Sequence, residues 1–130
     1  AGAPAVVTAP VAAPPPLAGP CRPAPGRLCL DGGRFAAEIR WQDPTGNRGW
    51  GGGETLTSDT GTFWFFTPDN PEVFVKLLDG RTVNGSFWVF YGSLTNVAFT
   101  LTVTDTATGR SRVYENPQGH FASSGDTGAF

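Results

Sequence analysis

The stretch Asn96-Val97-Ala98-Phe99-Thr100-Leu101-Thr102-Val103-Thr104 decides the fold class of this chain. Its apolar and polar residues alternate strictly, which predicts an extended strand because successive side chains of a strand point to opposite faces of a sheet. We expect Val97, Phe99, Leu101 and Val103 to face a core. Residues 110–115 form a second strand after a turn at residues 107–109, so the two segments predict a β-hairpin.

Four other segments also have strand patterns. Residues 34–41 alternate, with Phe35, Ala37, Ile39 and Trp41 on the face predicted to be buried. Residues 62–67 and 72–78 carry apolar side chains at both odd and even positions, which predicts central strands, and residues 86–91 repeat this aromatic pattern. No window from Cys29 onward keeps an apolar stripe at helical spacing for three turns.

Together these segments predict an all-β protein. Gly, Pro, Asn and Asp clusters separate the strands at short intervals, as tight turns require. About seven or eight short strands favour a single β-sandwich, immunoglobulin-like or jelly-roll. The chain of 130 residues is long enough for one such domain at residues 21–130, preceded by an arm at residues 1–20 that holds six of the twelve prolines.

Charge and hydropathy exclude two classes of partner. Nine basic and eleven acidic residues give a net charge of −2, which does not favour nucleic acid. No apolar run approaches the roughly 18 to 20 residues of a membrane helix, so we expect no membrane insertion.

The two cysteines, Cys21 and Cys29, indicate the compartment. They lie eight positions apart with no His or second thiol pair nearby to complete a zinc site, so a local disulfide is the better interpretation. Such a bond persists in oxidising places, which predicts an extracellular or cell-surface protein. A start at Ala1 without an initiator Met fits a signal-peptidase product and equally a trimmed chain.

Residues for catalysis and for metal or cofactor binding are poorly represented, so we expect neither an enzyme nor a bound cofactor. The single histidine, His120, precedes Ser123, Ser124 and Asp126 in a Gly-rich tail that we predict to be too flexible to hold a triad. Four further residues, Asp59, Asp69, Asn70 and Asp79, could offer oxygen atoms to calcium, but turn formation explains them more simply.

Aromatic side chains are the remaining candidates for ligand binding. Trp50 lies among glycines and is predicted to be exposed, where its flat ring could stack on a sugar or seat proline from another chain. Trp64 and Trp88 are predicted to belong to the core. The motif at residues 84–86 matches the glycosylation sequon, which is common by chance.

Several blocks of sequence resemble a widespread set of secreted bacterial β-rich domains, often appended to larger extracellular proteins. The blocks are Leu28-Cys29-Leu30, Gly33-Arg34-Phe35, Asp59-Thr60-Gly61-Thr62-Phe63-Trp64-Phe65-Phe66, Pro68-Asp69-Asn70, Val75-Lys76-Leu77-Leu78-Asp79-Gly80, Asn84-Gly85-Ser86-Phe87-Trp88-Val89-Phe90 and Leu101-Thr102-Val103-Thr104-Asp105-Thr106. The resemblance covers residues 21–130 and implies an extracellular location and modularity. Its members often carry a cysteine directly after the Asp-Gly turn, where this chain has Arg81.

The arm lies outside the resemblance and carries the functional hypothesis. Residues 1–20 contain no charged side chain; their first part has β propensity and their prolines favour an extended polyproline segment. We predict that this arm adds to a neighbouring copy, with Val6, Val7, Val11 and Leu17 as anchors, and so builds a filament or surface layer. Two alternatives stay open: a flexible linker, and a monomeric carbohydrate-binding or substrate-targeting module that uses Trp50.

Overall fold

The computed structural model describes residues 10–130, which form an all-β protein with ten strands and one short helix. The elements are β1 (Leu28–Leu30), β2 (Phe35–Gln42), β3 (Arg48–Trp50), β4 (Gly52–Thr55), β5 (Thr60–Trp64), β6 (Pro71–Gly80), α1 (Arg81–Asn84), β7 (Ser86–Ser93), β8 (Ala98–Asp105), β9 (Arg110–Asn116) and β10 (Ser123–Asp126). Every strand pairing is antiparallel.

The ten strands form two five-stranded sheets. In the first sheet β2 pairs with β8 along one side and with β1 and β3 along the other, and β9 extends the sheet beyond β8. The second sheet has the order β10-β7-β6-β5-β4. The chain passes from the first sheet to the second at Gly51, whose N–H donates to the carbonyl oxygen of Ile39 at 2.9 Å.

The inner faces of the two sheets enclose one hydrophobic core. Phe35 of the first sheet packs on Phe87 of the second, with ring centroids 4.8 Å apart, and on Phe130 at 5.2 Å. Trp41 stacks on Phe65 at 6.2 Å. Of the described residues 10–20, none belongs to the core, and all described core residues lie within residues 21–130.

The structure confirms the alternating strand and its hairpin. Val97, Phe99, Leu101 and Val103 are all buried, and β8 pairs with β9 from Phe99 opposite Asn116 to Asp105 opposite Arg110. The first alternating segment also forms a strand, because Phe35, Ala37, Ile39 and Trp41 of β2 are buried at exposures of 3% or less.

The prediction that residues 62–67 and 72–78 belong to central strands is confirmed, since β5 and β6 are inner strands of the second sheet, but their apolar side chains do not all reach the core. The second sheet has only one buried face, and Phe74 on the other is 39% exposed. Strand β5 ends at Trp64, and the next two aromatic residues, Phe65 and Phe66, turn into the core from the loop that follows. The apolar residues of these segments therefore divide between the core and an outer surface.

Three segments predicted to be turns or tail have regular structure. The Gly-rich stretch around Trp50 forms β3 and β4, and the tail forms β10, which pairs with β7. The expected tight hairpin before β7 contains the single-turn helix α1, closed by Gly85 at φ +81°. Within residues 10–130, no helix is long and apolar enough to cross a membrane.

Candidate functional site

The arm seat is the place where the described part of the arm contacts its own domain, and we define it as Gly26 and Arg27. Gly26 touches the arm so closely that a Cβ atom there would lie 3.2 Å from the carbonyl oxygen of Ala12 and 3.3 Å from Cδ of Pro14. Any larger side chain would push the arm away, because van der Waals contact between such atoms needs more space.

Arg27 provides the polar contact of the arm seat. Its side chain is buried, its Nε–H donates to Glu38 Oε2 at 2.6 Å, and its Nη2 donates to the backbone carbonyl of Pro15. A buried guanidinium needs acceptors for its N–H groups, and here one acceptor comes from the arm. The arm thus supplies one hydrogen-bond acceptor to a buried charge.

Beyond the seat, the arm reaches a depression of about 260 Å³ at the junction of the two sheets. Pro10 and Val11 line it together with Trp41, Trp50 and Phe65. Of the four predicted arm anchors, Val11 and Leu17 are half-buried, whereas Val6 and Val7 lie outside the described residues.

Trp50 lies at this depression as a half-buried side chain. Its ring is covered by the guanidinium of Arg40, 4.7 Å from the ring centroid, and its carbonyl accepts the Trp41 indole N–H at 3.3 Å. A cation–π contact of this kind leaves less of the ring free to stack on a sugar. Trp50, which we predicted to stack on a ligand, therefore forms part of the depression beside the arm.

The root of the arm is fixed by a disulfide between Cys21 and Cys29, as predicted. The Cys21 N–H also donates to the carbonyl oxygen of Gly33 at 2.8 Å. Just before this anchor, Gly19 has φ +97°, a conformation that favours glycine. The arm is consequently joined to the disulfide-bonded Cys21 through a bend at Gly19.

The second feature is an outer aromatic face on the second sheet, which we define as Trp64, Phe74, Leu78, Trp88 and Phe90. Strand register places them on one side, because Phe74 is opposite Gly92, and Leu78 is opposite Trp88. A depression of about 710 Å³ lies between β6, β7 and β10 on this face.

Three rings of the outer aromatic face lie against glycines on neighbouring strands. The indole of Trp64 covers Gly52 and that of Trp88 covers Gly80, so closely that a Cβ atom at either glycine would overlap the ring. A Cβ atom at Gly125 would lie 2.7 Å from Phe90 Cε1. The prediction that Trp64 and Trp88 belong to the core is therefore wrong: both are half-buried on the outer surface, in places that only glycine leaves open.

Hydrogen bonds fix the Trp88 indole at the end of this face. Its Nε1–H donates to Asn84 Oδ1 at 2.8 Å, and Asn84 Nδ2 donates to the carbonyl oxygen of Thr127 at 2.8 Å. Both the oxygen and the nitrogen of the Asn84 side-chain amide are thus hydrogen-bonded. Its contacts make Trp88 a fixed part of the surface.

The candidate catalytic residues of the tail have different environments. His120, Ser123 and Ser124 are exposed, whereas Asp126 accepts hydrogen bonds from the Tyr114 hydroxyl at 2.7 Å and from the Gly128 N–H at 3.1 Å. Burial and this carboxylate raise the pKa of Tyr114 well above its usual value. The tail is an ordered strand that joins the two sheets through Tyr114, so the predicted flexibility is wrong.

Asp59 and Asp79, two of the acids predicted to form turns, do stabilise turns, and one buried acid is an exception to this pattern. Asp59 accepts from the hydroxyls of Thr57 and Thr60, and Asp79 accepts from Arg81, whose guanidinium lowers the Asp79 pKa to about 2. Across residues 10–130, no group of three or more His, Cys, Asp or Glu side chains could hold a metal ion. The exception is Glu72, whose buried Oε2 has no hydrogen-bond partner and whose pKa burial raises.

No protein-family model, curated protein or solved structure matches this chain. The arm seat and the outer aromatic face are therefore assessed on their geometry and chemistry.

Proposed function

We propose that this protein is an extracellular structural subunit, a β-sandwich domain that assembles with its own copies by exchanging the N-terminal arm. The observation that carries the proposal is the arm seat. There the segment from Val11 to Pro15 contacts Gly26 and supplies an acceptor to buried Arg27. A surface shaped to the arm within one copy can accept the same arm from the next copy.

The way the arm is held supports exchange. Residues 10–17 form no strand or helix, and the arm contacts the domain at Gly26 and Arg27. The arm joins the domain at the bend around Gly19 and the disulfide at Cys21. Domain swapping recreates the same contacts between copies, so it has a low free-energy cost. Six prolines in residues 1–20 also restrict the free arm and reduce the entropy lost on binding.

The length of the arm supports a head-to-tail assembly. Twenty extended residues reach roughly 60 Å, which exceeds the width of a domain of this size. The arm and its seat are different surfaces, so each copy gives its arm to one neighbour and receives an arm from another. Contacts of this heterologous type produce rings or open filaments.

The proposed location follows from the disulfide. The bond between Cys21 and Cys29 fixes the arm beside its seat, and such bonds persist in oxidising compartments outside the cytosol. We therefore place the assembly in the extracellular space or on the cell surface.

The first test compares the full chain with a version that lacks residues 1–18, which keeps every described core residue. Negative-stain microscopy and sedimentation velocity should reveal filaments or large oligomers for the full chain and monomers for the truncated chain. If both versions sediment as monomers over a wide concentration range, the proposal is wrong.

A carbohydrate-binding module is the second candidate, and one observation favours it. Trp64 and Trp88 present indole rings on the outer aromatic face, and flat aromatic rings stack on the apolar faces of sugars. Retardation of the full chain on polysaccharide affinity gels would support this candidate if Trp88→Ala reduces it. Loss of retardation in Trp50→Ala alone would place the sugar at the depression beside the arm.

A further inference from the structure

We propose that the outer aromatic face of the second sheet is the docking surface for residues 1–9 of the arm, supplied by a neighbouring copy. The origin of the segment in a neighbouring copy rests on the proposed function. The surface itself is assigned from the chemistry of the face, the position of Pro10 and the length of chain that precedes it.

The chemistry of the segment matches that of the face. Residues 1–9 contain only Ala, Gly, Pro, Val and one Thr, with no charged side chain. The strands of the second sheet carry one cation, Lys76, and four anions, Glu54, Glu72, Asp79 and Asp126. Glu72 is buried, Asp79 is paired with Arg81 and Asp126 accepts from Tyr114, so Lys76 and Glu54 are the charges that these strands leave open beside the aromatic side chains. Proline-rich segments bind to aromatic-lined grooves because their extended form exists before binding and proline packs well on flat rings.

The path of the arm leads to one end of the face. Pro10 lies in the depression that Trp50 and Phe65 also line. Gly52 follows two residues after Trp50 and lies beneath the Trp64 ring. Pro10 thus lies beside Trp50, two residues before the strand that carries Gly52, and the proposed docking of residues 1–9 starts at Trp64.

The lengths agree. In the strand register Trp64 is opposite Pro71 and Trp88 is opposite Leu78, which are seven residues apart on β6. Trp64 and Trp88 themselves lie on β5 and β7, two strand spacings apart. The two components give a distance of about 25 Å between Trp64 and Trp88. Nine extended residues span about 30 Å, enough to follow the face from Trp64 to Trp88.

The relative orientation of the rings favours this occupant over a sugar. Trp88 and Phe90 are inclined by 74°, so the two neighbouring rings do not form one flat platform for successive sugar rings. A peptide segment with small and branched side chains fits an uneven aromatic surface better, because its side chains can enter the spaces between rings.

The test uses two matched variants of the full chain. Phe74→Lys places a charge in the middle of the face at a residue that is 39% exposed, so the core is unchanged. Val113→Lys is the control, since Val113 is 58% exposed on β9 of the first sheet. Hydroxyl-radical footprinting reports the accessibility of Trp64, Phe74 and Trp88, and sedimentation velocity reports assembly.

We expect the three aromatic residues to be oxidised severalfold more slowly in the full chain than in a chain lacking residues 1–9, with Val113 unchanged. Phe74→Lys should weaken assembly, and Val113→Lys should not. Assembly with unprotected aromatic residues would overturn this inference and leave the proposed function intact. Protection in a chain that stays monomeric would overturn the neighbouring copy as the source, and with it the proposed function. Protection that appears only after soluble polysaccharide is added would overturn the inference in favour of a sugar.

Discussion

Replacing Gly26 by Val tests the arm seat directly. A Cβ atom at this position would lie 3.2–3.4 Å from Ala12, Pro14 and Val11, and the two γ-methyl groups of valine need more space still. The backbone of Gly26 does not have a positive φ, so valine fits the local conformation and the collision with the arm remains as the main effect. We expect Gly26→Val to displace the arm and leave the domain folded.

The size of the effect follows from the contact that is lost with the arm. The hydrogen bond from Arg27 to the carbonyl of Pro15 involves a charged donor, and such bonds contribute about 1.5–3 kcal/mol. A loss of this size lowers the ratio of seated to released arm by about tenfold to a hundredfold, since each 1.4 kcal/mol is a factor of ten. The free energy of unfolding of the domain should change much less.

Limited proteolysis with elastase measures this ratio. The enzyme cuts after small residues such as Val11 and Ala12, and cleavage follows the released population when the arm moves faster than it is cut. Gly26→Val should speed arm cleavage about tenfold or more. Gly128→Val is the matched control, because a Cβ atom there meets only Asp126 Oδ1 at 3.9 Å. Equal arm cleavage in wild type and Gly26→Val would refute the arm seat.

Three further predictions concern the stability of the domain. Replacing both Cys21 and Cys29 by Ser should lower the free energy of unfolding by about 2.5 kcal/mol in urea titrations, from the loop-closure relation for a separation of eight residues. Tyr114→Phe removes the hydroxyl that joins the sheets through Asp126 and should cost about 1–3 kcal/mol in the same titrations, whereas an unchanged midpoint would contradict this role. Burial raises the pKa of Glu72 above its usual 4.5, so its contribution to stability is present below that pH and is lost as the pH rises through the raised value. Glu72→Gln should therefore raise the melting temperature at neutral pH and flatten its decrease with pH, and a lower melting temperature there would contradict the assignment.

Sequence patterns predicted the strands with a regular alternation because that alternation reflects one buried face. Strand β8 is the clearest case, since its inner residues are all buried and its outer threonines are partly exposed. Cysteine spacing likewise predicted the disulfide. These features depend on residues close together in the chain, which a sequence displays directly.

The outer aromatic face could not be predicted because its cause lies in distant pairing. Trp64 and Trp88 can lie on the outer surface because Gly52 and Gly80 on neighbouring strands leave room for their rings. In the sequence these glycines look like turn residues, and an apolar run looks the same whether its second face meets a core or an open surface.

The arm seat was missed for a similar reason. Gly26 lies between the two cysteines in a Pro-rich loop, where a glycine normally indicates a turn. Its actual role depends on contact with residues more than ten positions earlier. The tail was also underestimated, because Ser and Gly have low β propensity, whereas pairing of β10 with β7 and burial of Ala129 order this segment.

The most direct measurement of arm exchange mixes two chains that each lack one half of the contact. A chain without residues 1–18 offers a free seat and no arm, and Gly26→Val offers an arm and no usable seat. We predict that each sediments alone as a monomer and that the mixture forms a one-to-one complex, while wild type forms larger assemblies. If the mixture stays monomeric while wild type assembles, arm exchange through this seat is contradicted.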